Sequence, residues 1–523
     1  MAERAQPIVP RALSPLPGIG AALLVVALIS GTLVAVVLRA EPGRGLGVSD
    51  LAALRFTLVQ AVLSAVLSVA LAIPVARALA RRRFAGRAAL IALLGAPFIL
   101  PVIVAIMGLL QVFGRAGWLN GLLTWAGLPG VQIYGLHGVV LAHVFFNLPL
   151  ATRLILQGWQ EIPSERFRLA AQLNITGPAM IRLIELPMLA RVVPGALAVV
   201  FAICLSSFAV ALTLGGGPRA TTVELAIFQA FRYDFDLSRA ALLSVIQLLL
   251  TGIAAVIALR LSRGDGMGSG LDRALRRWDA RGPVARGTDA LWITLAALFL
   301  MLPLASLVLK GAGAVVDLPL AVWRAALTSV MVASISTALL LCMAVPMAAA
   351  LATRHGRWVE VAGILGLAAS PLVIGTGLFL ILRPLTTPGA WALPVTALVN
   401  AVMALPFALR ILGPAARDTV QRYGRLGISL GMGGAPFLWR VFIPRLRPQI
   451  GFAAGLGAAL SMGDLGVITL FADAQQATLP LQMYRLMGAY QMEAAAGAAL
   501  LLLALSIGAF WCLDRGGRWH AEA

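Results

Sequence analysis

Apolar positions along the chain do not alternate with polar ones at a strand's or an amphipathic helix's period; they gather into long unbroken runs. About 20 apolar residues suffice to cross a bilayer as a helix. Runs of that length fall near 17–39, 51–76, 88–112, 136–158, 192–214, 239–261, 289–309, 325–352, 358–382, 392–412, 449–471 and 495–513. The pattern predicts an all-α polytopic membrane protein of about twelve transmembrane helices. Gly and Pro interrupt several runs, as at Pro97 and Pro101 or Gly375 and Gly377, which membrane helices tolerate better than soluble ones do. Between the sixth and seventh runs, residues 263–288 are rich in Gly and Arg and poor in large apolar side chains, and they read as a linker between two halves.

The halves repeat each other. At an offset of 257, Leu148-Pro149 pairs with Leu405-Pro406, Arg153 with Arg410, Arg168-Leu169 with Arg425-Leu426, Gly177 with Gly434, Pro187 with Pro444, Ala220-Thr221 with Ala477-Thr478 and Tyr233 with Tyr490. Upstream the offset is 272, where Pro74 meets Pro346 and Arg82 meets Arg354, so the first half carries extra residues around 113–138. The chain is a fused duplication. Six helices per half, an even number, give both copies the same orientation, related by a pseudo-twofold axis along the membrane normal.

Composition sharpens this reading. Of 523 residues, 60% are apolar and 12% charged, against roughly 45–50% and about 25% in soluble domains. The net charge of +20 alone would admit nucleic acid, an acidic substrate or a membrane surface as partner. Sorted over alternating loops, most of the surplus falls on one side: Arg77, Arg81, Arg82, Arg83 and Arg87 after the second helix, and seven Arg from Arg260 to Arg286 after the sixth. The stretch 113–135 on the other side holds only Arg115. The positive-inside rule places the basic side, both termini and the linker in the cytoplasm, and no basic groove for nucleic acid is needed. Arg4 and Arg11 precede a first transmembrane helix rather than a cleaved signal. Cys204, Cys342 and Cys512 lie apart inside apolar runs, and His137, His143, His355 and His520 are scattered without ligand spacing, so neither a disulfide framework, a metal site nor a cofactor is expected.

One cytoplasmic segment recurs in both halves. Residues 161–189 read EIPSERFRLAAQLNITGPAMIRLIELPML, and 417–446 read RDTVQRYGRLGISLGMGGAPFLWRVFIPRL. Each predicts an amphipathic stretch, 164–173 or 421–430, then a turn, then a second helical stretch ending in Pro187 or Pro444. Asn174 stands where the second copy has Gly431; both residue types tolerate a left-handed turn. A helix, a break and a helix form a rigid ledge, and two matched ledges want two identical partners.

These residues resemble the EAA loop of ABC importer permeases, whose pattern is Glu-Ala-Ala, a Gly, and an Ile-x-Leu-Pro ending. Ile184, Leu186 and Pro187 match that ending, and Val441, Ile443 and Pro444 match it loosely; Arg168 and Arg425 stand where the family has Glu. The resemblance implies two tandem six-helix type I permease halves, and coupling positions at Arg168, Leu169, Ala170, Ala171, Asn174, Gly177 and Pro187, and at Arg425, Leu426, Gly427, Gly431, Gly434 and Pro444. It implies two copies of a cytoplasmic ABC ATPase subunit as partners. A phosphate-cradling P-loop needs Gly-x-x-x-x-Gly-Lys-Ser/Thr, and the single lysine, Lys310, lies outside any such motif, so this chain is a transport permease and not itself the ATPase. The implied domains are a tail and first helix at 1–50, a permease domain at 51–262, the linker 263–288, a seventh helix at 289–319, a second permease domain at 320–513 and a tail at 514–523.

Longer stretches, LAHVFFNLPLATRL at 141–154, LGGGPRATTVELAIFQA at 214–230 and SMGDLGVITLF at 461–471, are similar to the thiamine/thiamine pyrophosphate importer permeases of Gram-negative inner membranes. Fused ferric-iron permeases share the architecture. The resemblance implies a periplasmic binding protein that delivers substrate to short outer helices near 220–232 and 477–490, with Arg219, Arg232 and Arg485 facing it. Thiamine carries a cationic ring, so an acid in the pathway has a use. Asp464, whose repeat partner is Ser207, is either that acid or a group satisfying backbone where the helix loosens. His143 and Asn147 either bridge helices or line the pathway, and Glu224 reads as a docking or capping group. A 6+6 secondary transporter would share the duplication and helix count but would not need matched ledges, and a membrane enzyme would need clustered His or carboxylates.

Overall fold

A computed structural model describes residues 12–40, 45–95, 99–261, 282–353, 356–472 and 476–519. Arg4, Arg11, Pro97, Arg354, His355, His520 and the linker up to residue 281 lie outside the described residues. Among those described, the regular structure is entirely helical.

The first half runs through α1 (Leu16–Arg39), α2 (Val48–Arg81), α3 (Arg87–Leu93), α4 (Val102–Phe113), α5 (Trp118–Trp125), α6 (Leu136–Gln160) and α7 (Ser164–Gln172). Helix α8 (Gly177–Met180) continues through a π-helical turn, Ile181–Glu185, into α9 (Leu186–Leu205), followed by α10 (Phe208–Leu214), α11 (Val223–Arg232) and α12 (Leu237–Leu261). The second half comprises α13 (Pro283–Ala314), α14 (Leu320–Leu351), α15 (Gly356–Ala368), α16 (Pro371–Leu382) and α17 (Ala392–Ser429). After it come α18 (Ala435–Phe437), a π turn at Leu438–Phe442, α19 (Ile443–Met462), α20 (Gly466–Phe471), α21 (Leu479–Gly488) and α22 (Met492–Arg518).

Eleven described segments are long and apolar enough to cross a membrane. The expected single helix at 358–382 is instead two, α15 and α16, because Pro371 has no N–H to continue the ladder and the Ser370 hydroxyl accepts from the Leu372 N–H at 3.2 Å to start anew. The run 88–112 divides in the same way into α3 and α4, with Pro101 at the start of α4. The runs 192–214 and 449–471 also break, at Ser206-Ser207 and at Gly463–Leu465. All four breaks therefore come as repeat-related pairs.

The helices gather into two compact units. One contains α1, the chain from Arg324 to Leu479, and the end of α22 from Ala504. In it α17 packs along α19 and α15, and α16 rests on α20. Gly18 brings α1 directly onto Pro346 and Ala350 of α14, and Gly377 of α16 sits against the Thr32 backbone of α1, contacts that a side chain on either glycine would block. The other unit spans Arg39 to Trp323 and Pro480 to Leu503. There α2 packs along α6 and α9, α12 covers α9 and α11, and α13 lies on α4 and α2. A Cβ on Gly108 of α4 would stand 2.6 Å from the Pro303 carbonyl oxygen of α13. So α1, from the first half of the sequence, packs within the unit built by the second repeat, and α13 packs within the unit built by the first.

Hydroxyls at repeat-equivalent positions start the two short helices. The Val223 N–H donates to Thr57 Oγ1 at 2.9 Å in one unit, and the Leu479 N–H donates to Ser329 Oγ at 2.7 Å in the other.

Two repeated ledges as the candidate functional site

In the first ledge, α7 begins after Pro163, which lacks the N–H that would have joined it to α6. Phe167 and Ala170 turn inward and are buried, while Arg168, Leu169 and Ala171 face out. Glu165 lies in the first turn, where the positive end of a helix favours an anion. Its own backbone N–H, then the Ser164 hydroxyl and the Arg168 guanidinium hold its carboxyl below the ordinary value.

The helix ends in a Schellman turn. Asn174 adopts φ 49°, the Asn174 N–H donates to the Ala171 carbonyl at 3.1 Å, and the Ile175 N–H reaches back to the Ala170 carbonyl at 2.9 Å. Gly177, at φ 56°, opens α8, and the π turn 181–185 delivers the chain to exposed Pro187 at the start of α9.

The second ledge repeats this backbone residue for residue at the offset of 257. Gly431 has φ 69°, its N–H donates to the Ile428 carbonyl at 3.0 Å, the Met432 N–H reaches the Gly427 carbonyl at 2.8 Å, and Gly434 has φ 68°. The π turn at 438–442 is the exact counterpart of 181–185. Gly427 is buried where a Cβ would stand 2.6 Å from the Phe437 ring, and the Arg445 guanidinium lies 4.8 Å over the Tyr423 ring, bracing the two arms. Pro444, half-buried, opens α19. One expected feature differs: the stretch 421–430 is not a separate helix but the last turns of α17, because Val420 rather than proline stands where the first copy has Pro163.

Outward side chains match as well. Leu169 and Leu426 are 56% and 55% exposed, and Leu173 and Leu430 are 63% and 62% exposed. Each ledge thus shows two bare leucines one helical turn apart beside an exposed arginine, Arg168 or Arg425. The second leucine of each pair was not singled out from the sequence, although its spacing of four from the first was visible there. Ala170 and Gly427 serve packing rather than contact.

The candidate pathway residues sit at the helix breaks. In the first unit, the His143 ring of α6 shares hydrogen bonds with the hydroxyls of Ser64, at 3.2 Å, and Ser207, at 2.7 Å, the latter in the break between α9 and α10. Asn147 donates to Cys204 Sγ at 3.3 Å. Carbonyls freed by the break are taken up by Gln60, which donates to the Cys204 oxygen at 2.9 Å, and by Gln247, which donates to the Leu205 oxygen at 2.9 Å and to Glu224 at 3.2 Å. Asp464 belongs to the other unit. One carboxylate oxygen caps the Gly466 N–H at 3.1 Å, and the second is buried without a hydrogen-bond partner. Asn400, the counterpart of His143, donates to the Ser461 hydroxyl at 3.1 Å across that break. Neither glutamine was anticipated; an amide inside an apolar run was the available signal.

Known proteins corroborate the family that the ledges suggest. No model of a known protein family matches the chain. The thiamine transport system permease protein ThiP of Salmonella typhimurium is 40% identical over the full length of both chains. ThiP of Escherichia coli is 39% identical over 98% of each, and ThiP of Brucella suis 38% over 90% of this chain and 88% of its own. The molybdenum transport system permease protein ModB of Mycobacterium bovis is 32% identical over 35% of this chain, which is 75% of ModB. With a fused duplication, repeated ledges and relatives matched from end to end, the chain belongs to the thiamine transport system permease family.

Proposed function

We propose that this chain is the membrane-spanning permease of an ATP-driven importer carrying thiamine or thiamine pyrophosphate across a bacterial inner membrane. The permease domains are 51–262 and 320–513, joined by the linker 263–288 and the seventh transmembrane helix at 289–319, with both termini and both ledges in the cytoplasm. The observation that carries the coupling role is the pair of ledges, in which the same Schellman turn, π turn and two bare leucines recur at an offset of 257. Each ledge docks one copy of a separate ATPase subunit, and this chain changes no covalent bond.

At the opposite face a substrate-binding protein delivers its load onto α11 and α21. Burial, and then the positive charge of Arg232, hold the Arg485 guanidinium below its ordinary value, and both arginines face that partner. Inside the membrane, His143, Asn147 and Ser207 mark the substrate path at the helix break of one unit, and Asp464, at the break of the other, supplies negative charge for the thiazolium ring. Broken helices with irregular backbone at depth are where transporters build their sites.

The test is reconstitution in vesicles with a candidate ATPase and binding protein. ATP-dependent uptake of labelled thiamine is expected. Uptake driven by an ion gradient without any ATPase would refute the importer reading, and uptake of ferric iron instead of thiamine would move the substrate while leaving the mechanism.

A further inference from the structure

Three buried or half-buried arginines line the ledge end of α2, and two buried carboxylates from distant parts of the chain meet them. Arg77 Nε lies 2.8 Å from Glu185, the last residue of the π turn in the first ledge. One turn further along, Arg81 Nε donates to Asp289 at 2.8 Å, and Arg82 Nε donates to the same carboxylate oxygen at 2.6 Å. Asp289 belongs to α13, which further along, at Pro303, passes Gly108 of α4 at backbone contact. Arg77 and Arg81 are four residues apart and so share one face of α2. The ledge, α2 and α13 are thereby tied in series, by an ion pair between Arg77 and Glu185 and by charge-assisted hydrogen bonds from Arg81 and Arg82 to Asp289.

Among the described residues the second half has no such series. Ala349 and Phe442, both buried, occupy the positions equivalent to Arg77 and Glu185. Its ledge is tied instead to the residues leading into α1, where the Gly434 N–H donates to the Ala12 carbonyl at 2.9 Å, and Gly18 of α1 packs directly on Pro346 and Ala350 of α14. Burying a carboxylate is costly even when it is paired, and the second half holds the same geometry without one. The ion pairs therefore call for a reason other than holding the fold.

We propose that Glu185, Arg77, Arg81, Arg82 and Asp289 form a relay that passes displacement of the first ledge along the end of α2 into α13, and from α13 to α4. It rests on the reading of the ledges as ATPase docking sites. These are positioning residues; none touches substrate. Losing one ion pair leaves docking intact but uncouples ATP hydrolysis from movement in the membrane.

The test uses the full permease reconstituted with its ATPase and binding protein, with thiamine imported and ATP hydrolysed measured on the same vesicles. Glu185→Gln and Asp289→Asn should each lower thiamine imported per ATP at least tenfold, while ATPase co-purification stays within twofold of the parent. Exchanging charges, Arg77→Glu with Glu185→Arg, should restore at least half of the ratio. Arg81→Lys keeps the charge but not the planar fork that holds Asp289; it serves where a neutralised variant fails to accumulate, and it should cost at least threefold. An unchanged ratio in the variants overturns the relay, as does a loss of import that merely tracks lost co-purification. If the parent protein itself imports no thiamine with ATP, the importer reading fails instead; a coupled parent with equally coupled variants sinks only the relay.

Discussion

The paired leucines allow docking to be tested by magnitude. A leucine side chain taken fully out of water is worth about 2 kcal/mol. Leu169 and Leu426 are 56% and 55% exposed, so covering them in a partner's cleft contributes about 1 kcal/mol each, and Leu173 and Leu430, at 63% and 62%, contribute slightly more. Replacing Leu169 and Leu426 with Asn removes one leucine from each ledge and should weaken binding of each ATPase copy by about 1 kcal/mol, or roughly fivefold in Kd. Replacing all four should cost each copy about 2 kcal/mol, roughly 30-fold. Area converts imperfectly into affinity, so these are upper values. The assay is titration of purified ATPase onto permease in nanodiscs, by fluorescence or interferometry. Because the four side chains face outward, permease thermal stability should stay within about 0.5 kcal/mol of the parent for each change. A fourfold variant that binds within threefold of the parent refutes the docking role of the leucines.

Other consequences follow from backbone and charge. Gly431→Val forces a branched side chain into a left-handed turn and should destabilise the second ledge by about 1–2 kcal/mol, whereas Asn174→Gly should be tolerated; thermal midpoints in detergent compare them. Gly108→Leu and Gly377→Leu meet backbone rather than flexible side chains, so each should cut the yield of folded protein severely, read by size-exclusion chromatography of tagged chains. Glu165 is held below its ordinary value, so its contribution to α7 is present above the unfolded carboxylate range and is lost as pH falls through the lowered folded value. A stability difference between parent and Glu165→Gln should therefore appear near neutral pH and vanish in strong acid. Asp464→Asn keeps an oxygen to cap Gly466 but removes the charge, so thiamine uptake should fall at least tenfold with stability unchanged; uptake at the parent rate would remove Asp464 from the pathway.

Much of the ledge was legible in the sequence because it depends on local chemistry. Asn174 and Gly431 are the residue types that accept positive φ, and both adopt it at the same place in the repeat. Pro163 and Val420 also carried a signal, since one interrupts a helix and the other does not, but a common motif invites reading the copies alike. The helix breaks at 206–207 and 463–465 were hidden for a different reason: hydropathy averages over a window and records only that a segment is apolar. What decides continuity there is whether freed carbonyls find donors such as Gln60 and Gln247, which come from other helices. The pairing of Arg81 with Asp289 joins positions 208 residues apart, and no periodicity reports on that. It depends on α13 packing within the unit of the first repeat.

The two copies diverge unevenly along their length, and the unevenness has a physical logic. The proposed docking of two like partners requires a pair of ledges to present the same turn and the same bare side chains, as both do from Leu169 to Gly177 and from Leu426 to Gly434. The proposed substrate is single and has no twofold symmetry of its own, so it sets no such demand on the helix breaks. At the breaks the equivalent positions differ in charge and hydrogen-bonding capacity, His143 against Asn400 and Ser207 against Asp464, as do Glu185 and Phe442 at the buried ends of the π turns. Backbone breaks are kept in both copies because they set the path of the chain, whereas the side chains that fill them have been free to specialise. A duplicated protein with one ligand and two like partners should show this division: symmetry in the backbone and at the docking surface, asymmetry in the chemistry between them.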